Sequence, residues 1–243
     1  MEFPRGPAGQ AARSPHAAPR AVAGLIAAIA LGAVLLVAAI GYVAFVLWPR
    51  QLSAVPADAP AVPITIAGVV FNVPPHAIRQ QVQRRSGAQE RIDLVFLWPS
   101  LEPPDPLNHP EHHAPADEPL PIDRLFVTIS GSDGTVSPAE RMKTIYPRYL
   151  TGDIAAVADG LVARRFSDAT PYRGEDLVFQ PAPTPLFVAR CSRTGATPGI
   201  CLLERRIGAA DIVVRFPRDW LADWRNVAAR IGELIASMRP PGG

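Results

Sequence analysis

Lysine is nearly missing from this 243-residue chain: Lys143 is the only one, and arginine supplies the rest of its 24 basic residues. Alanine and proline are abundant, so the bias reports the codon usage of a GC-rich bacterial genome and carries no mechanism. Net charge is scarce as well, at +2, and the excess sits at the N-terminus, where Arg5, Arg13 and Arg20 outnumber Glu2. The remainder, 50–243, is balanced. A surface that binds nucleic-acid phosphates carries a basic excess, so no nucleic-acid partner is expected. The cluster Arg79, Arg84, Arg85 and Arg91 reads as an ordinary solvated face.

Catalytic signatures are absent too. There is no His-Glu-x-x-His, no P-loop and no dinucleotide fingerprint. "SGSDGT" at 130–135 has Ser130 where a Gly-x-Ser-x-Gly elbow needs glycine. Asp133-Gly134 reads as a turn, and His76, after Pro74-Pro75, as part of a surface turn. The carboxylates are scattered, so no catalytic residue and no cofactor is assigned.

What is present begins with one long apolar run. Residues 21–48 hold no charge and no proline. At 1.5 Å per residue they would reach about 42 Å, more than a ~30 Å hydrocarbon core needs. Tilt or interfacial residues can absorb the excess, and Tyr42 and Trp48 fit an aromatic belt. A signal peptide has a shorter core, ~7–15 residues, and the cleavage-like "ADA" at 57–59 lies well past the run. The expectation is an uncleaved transmembrane helix over 21–48, in contact with the lipid bilayer. By the positive-inside tendency, 1–20 form a cytoplasmic tail and the rest is exported. Gly24, Ala28 and Gly32 share one helix face, a spacing that permits self-association.

Residues 49–63 hold four prolines and read as a semi-extended linker. One domain is expected over 64–239, with a tail at 240–243. Period-two alternation marks strands: Ile92, Leu94, Phe96 and Trp98 face one way, as do Leu125, Val127 and Ile129. Further strand patterns are "GLVARRF", "DLVFQ", "LFVARC", "ICLLERR" and "DIVVRF". "ITIAGVVFNV" (64–73) changes phase at Gly68, which predicts a bulge. "SPAERMKTIYPRYL" predicts a helix capped by Ser137, Pro138 and Glu140 and ended or kinked by Pro147. "HAIRQQVQRR" suggests a short helix. Leu221, Trp224, Val227, Ala228, Ile231, Leu234, Ile235 and Met238 form an apolar stripe at helical spacing. Sequential strands with few helices imply an α+β fold, an antiparallel sheet packed by the C-terminal helix.

Cys191 and Cys201 are the only cysteines. Turn residues between two strand patterns place them on the arms of a hairpin, and export would let them form a disulfide. The short loop sets its worth on the order of 2–3 kcal/mol. The segment 99–121 has eight prolines and five carboxylates (Glu102, Asp105, Glu111, Asp117, Glu118), so it reads as a long exposed loop. It carries His109, His112 and His113. These are candidate metal ligands by residue type, but a proline-rich loop does not fix their geometry.

An anchor, a linker and a folded domain without catalytic signature point to a single-pass inner-membrane protein of the bacterial envelope. Its periplasmic domain is expected to be a non-catalytic module that binds another envelope protein or the cell wall. A hydrolase whose groups converge only in the fold, and a metal-binding accessory protein using 109–113, are the alternatives.

Overall fold

The computed structural model describes residues 18–47, 55–56, 58–104, 122–183, 185–193, 195 and 198–240. It divides into two units, Met1–Ser53 and Ala54–Gly243. The first contains one helix, α1 (Ala18–Leu47). Its side chains are described for Gly24, Ile26 and 28–43, and all of these are exposed. Among the described residues no helix is long and apolar enough to cross a membrane.

The second unit is a mixed α+β domain with a large antiparallel sheet and a C-terminal helix. In chain order its elements are β1 (Val62–Ile66), β2 (Val69–Val73), β3 (Gly87–Gln89), β4 (Arg91–Leu97), β5 (Arg124–Gly131), α2 (Pro138–Thr144), β6 (Leu150–Ala158), β7 (Leu161–Phe166), β8 (Glu175–Phe179), β9 (Val188–Ser192), β10 (Ile200–Ile207), β11 (Ala210–Pro217) and α3 (Trp224–Ser237). Eight strands form one sheet in the order β4-β5-β11-β10-β9-β8-β7-β6. Every pairing in it is antiparallel. A small sheet, β2-β1-β3, joins β1 to β3 in parallel.

Alternation along the strands sorts the side chains into two faces. Ile92, Leu94, Phe96, Leu125, Val127, Ile129, Ile212, Val214 and Phe216 are buried in one cluster with Val227, Ile231 and Ile235 of α3 and Ile64, Ile66 and Phe71 of the small sheet. Each such burial contributes about 1.5–3 kcal/mol. The expected stripe is the face that α3 buries: Trp224, Val227, Ile231, Leu234 and Ile235 are all buried, with Leu221 just before them and Met238 just after.

Two local expectations are corrected. The phase change at Gly68 is a tight hairpin turn rather than a bulge. Ala67 and Gly68 both have positive φ, 47° and 81°, and β1 pairs directly with β2 from Ile66↔Val69 outward. Successive positive φ values match the twist of the flanking strands. The helix expected in 137–150 ends at Thr144, ahead of Pro147 as expected, and Tyr146–Arg148, around Pro147, form a 3-10 turn after it. Its cap is as expected: Glu140 N–H donates to the Ser137 hydroxyl. "HAIRQQVQRR" becomes two 3-10 turns, Pro75–Ala77 and Gln81–Gln83. Asp133 and Gly134 form the expected turn, both with positive φ.

Candidate functional site

The sheet face opposite α3 carries a second, smaller apolar cluster around Tyr146, Phe166 and Leu177, and beside it charged side chains that are held in pairs. At the β4 end, Asp93 accepts from Arg91 (2.7 Å), Thr128 (2.9 Å) and Gln83 (3.4 Å). Burial works against this carboxylate. The hydrogen bonds and the Arg91 charge win, and its pKa is lowered. A lowered folded pKa means that Asp93 contributes stability above its unfolded value of ~3.9 and loses it as pH falls through the folded value. The stability gap between wild type and Asp93→Asn should therefore be constant from pH 7 to about 5 and narrow below about 4. Urea unfolding at pH 7 and pH 3 checks this, and a gap that widens in acid would refute it.

Of the four clustered arginines, three are tied into the domain. Arg91 pairs with Asp93, Arg84 donates to the Ile78 carbonyl and Arg79 lies over the Phe126 ring at 4.9 Å. His76 Nε2 sits 2.6 Å from the Pro56 carbonyl. A carbonyl only accepts, so Nε2 carries the proton.

The same face opens into a cleft of about 780 Å³ over β8, β9 and β10. α2 walls one side with Pro138, Met142 and Lys143, and Pro181, Pro183, Pro185 and Leu186 wall the other. Val188, Arg190, Leu202 and Glu204 supply the floor. The charges there form a chain. Arg141 contacts Glu204 at 3.1 Å, Arg190 contacts Glu175 at 2.7 Å, and Arg190 Nε lies 3.6 Å from Glu204. Arg190 also covers the Tyr172 ring at 5.1 Å. Burial disfavours its charge, but Glu204 and Glu175 more than offset that, and its pKa is raised. Tyr146 donates to Glu204 at 3.4 Å. Burial and then the Glu204 charge push its hydroxyl up to about 12, so it stays protonated at physiological pH.

Sequence reasoning named none of Arg141, Tyr146, Glu175, Arg190 or Glu204. The signal available was the polar phase of the alternation in "DLVFQ", "LFVARC" and "ICLLERR". Cys191 and Cys201, by contrast, are joined as expected. They form a disulfide between directly opposed residues of β9 and β10, on the buried face. Their neighbours Arg190 and Leu202 are paired in the same register and face the cleft. The bridge thus staples the cleft floor from behind.

His109, His112 and His113 lie outside the described residues. Among the described residues no group of three or more His, Cys, Asp or Glu side chains could hold a metal ion.

No family model matches the chain, and no curated protein does. Two solved structures are similar in fold. One is Smlt3025, an immunity protein of the Stenotrophomonas maltophilia type IV secretion system, at 13% identity and a TM-score of 0.48, covering 74% of this chain and 94% of that one. The other is the iron-regulated outer membrane lipoprotein FrpD of Neisseria meningitidis, at 12% identity and a TM-score of 0.40, covering 74% and 92%.

Proposed function

We propose that this chain is a single-pass inner-membrane protein, N-terminus cytoplasmic, whose exported domain is a non-catalytic module that binds another envelope protein in the β8–β10 cleft. Three features support the membrane reading. Residues 21–48 are free of charge. The described side chains of α1 are exposed all round, Ile26, Val34 and Ile40 among them. A helix apolar on every side needs a non-aqueous neighbour. A disulfide persists in oxidising compartments, which agrees with export of 64–239.

The observation that carries the binding reading is that the charges on the cleft floor are paired with one another. Glu204 holds Arg141 and Tyr146, and Arg190 holds Glu175. A general acid or base needs a proton to move near neutral pH, and Tyr146, at about 12, holds its own. What remains for a partner is mainly apolar, Met142, Leu186, Val188, Leu202 and the rim prolines, with Lys143 and Arg205 beside them. Such a patch around a floor of paired charges fits a protein surface that contributes apolar anchors. Leu186, 75% exposed, stands at the rim.

A photo-crosslinking residue in place of Leu186, in the full chain and intact cells, should give one discrete envelope adduct. Met142→Arg, which puts a charge in the apolar wall, should abolish it. An adduct indifferent to Met142→Arg would refute docking in the cleft. Turnover of an ester or cell-wall substrate by the purified chain would refute the non-catalytic reading.

A further inference from the structure

The two edges of the large sheet are finished differently. The β4 edge is covered: Ile78 bridges Leu94, Arg79 N–H donates to the Asp93 carbonyl, Asp93 N–H donates to the Gln83 side chain, and Gln83 donates back to the Arg91 carbonyl. The β6 edge is bare. Among the described residues, β6 pairs only with β7. Its middle, Gly152–Val157, is exposed on both faces. An open edge presents unpaired N–H and C=O groups to any extended chain, and natural edges are blunted by charge, proline or bulges. Here the bulges lie at the ends, between Leu150 and Ile154 and between Ala156 and Ala158. They leave Ile154, Ala155 and Ala156 in regular register with Arg164, Ala163 and Val162. This regular stretch carries no charge, and Ile154 is 65% exposed.

We infer that two copies of this chain pair edge to edge through β6, antiparallel about a two-fold axis at Ala155, joining their large sheets into one. The sequence of the edge is complementary to itself in one register. With Ala155 opposite Ala155 of the partner subunit, Ile154 meets the partner subunit's Ala156, and Asp153 meets the partner subunit's Val157. The two members of each opposed pair share a sheet face, as antiparallel pairing requires, and successive pairs alternate between the faces. The two Asp153 carboxylates then stand about 13 Å apart along the strands, beyond a Debye length of ~8 Å. Moving the register two residues toward the C-terminus would set Asp153 against the partner subunit's Asp159, and like charges directly opposite are destabilising. Small residues widen the fit. Ala155 and Ala163 leave a groove of about 380 Å³ along this edge, floored by the Asp176–Arg218 ion pair, with room for side chains of an added strand. Alanine at the axis also lets the strands close to normal pairing distance.

The cleft shares no lining residue with this edge, so the Leu186 crosslink and the β6 test report separate surfaces. Opposed Cβ atoms in such a pair stand about 4.5–5.5 Å apart, near disulfide reach. Cys191 and Cys201 are bonded to each other, so Ala155→Cys adds the one free thiol. In native membranes, mildly oxidised full-length Ala155→Cys should form covalent dimer at least about tenfold more than Val82→Cys, an exposed site elsewhere in the domain. Ile154→Asp, an exposed change that keeps the fold, should reduce that dimer about tenfold; unchanged melting of the variant confirms folding. Equal crosslinking at 155 and 82, as from chance collision or pairing through α1 alone, would overturn the inference. So would insensitivity to Ile154→Asp, or a crosslink from 155 to a different protein.

Discussion

Arg190→Met is expected to lower the unfolding free energy by about 3 kcal/mol, the low end of the ~3–5 kcal/mol lost when one partner of a buried pair is removed. The Arg190 side chain is only 15% exposed, and those of its carboxylate partners Glu175 and Glu204 are 24% and 15% exposed. Removing the guanidinium leaves Glu175 without an ion-pair partner, while Glu204 keeps Arg141 and Tyr146. The penalty therefore falls mainly on Glu175. Adding Glu175→Gln to Arg190→Met removes the stranded charge and should recover at least half of the loss. Urea unfolding of the wild type, single and double variants measures this directly. A single-variant cost below about 1 kcal/mol, the worth of a surface pair, would mean that water and not burial governs the cleft floor.

Trp224→Ala should cost about 3–5 kcal/mol, the range for truncating a large buried aromatic. Trp224 is 4% exposed and belongs to the main core. It packs against Phe187 at 5.6 Å between ring centroids, and Arg225 covers its ring at 4.7 Å. Its Nε1–H donates to the Asp159 carbonyl at 2.7 Å, which ties the start of α3 to the β6–β7 turn. Trp224→Phe keeps most of the apolar area and loses that bond, and because Asp159 is exposed water can replace the donor, so it should cost about 0.5–1.5 kcal/mol, the net worth of one hydrogen bond. Thermal or urea melts of both variants separate packing from hydrogen bonding. Equal costs would show that the Asp159 contact outweighs the ring.

The sequence by itself determined the elements whose two faces meet different surroundings. β5 and β11 alternate in residue type because one face packs on α3 and the other does not. α3 repeats its apolar residues every three to four positions because it covers a sheet. The disulfide was legible for a related reason, since turn residues between two strand patterns bring Cys191 and Cys201 level with each other. β6 was not legible. With Gly152–Val157 exposed on both faces, no burial contrast is written into its side chains, and only pairing with β7 makes it a strand. A change of alternation phase such as that at Ala67-Gly68 marks a bulge or a tight turn alike, and only the sign of the backbone angles, positive at both residues, decides between them. The cleft was hidden most completely. Arg141, Glu175, Arg190 and Glu204 come from α2, β8, β9 and β10, separated by tens of residues. Side-chain period two reveals which of them leave the core face, but only register brings opposite charges within 2.7–3.6 Å. Local patterning encodes how each segment is buried, whereas charge pairing depends on distances between segments, and those exist only once the sheet has formed.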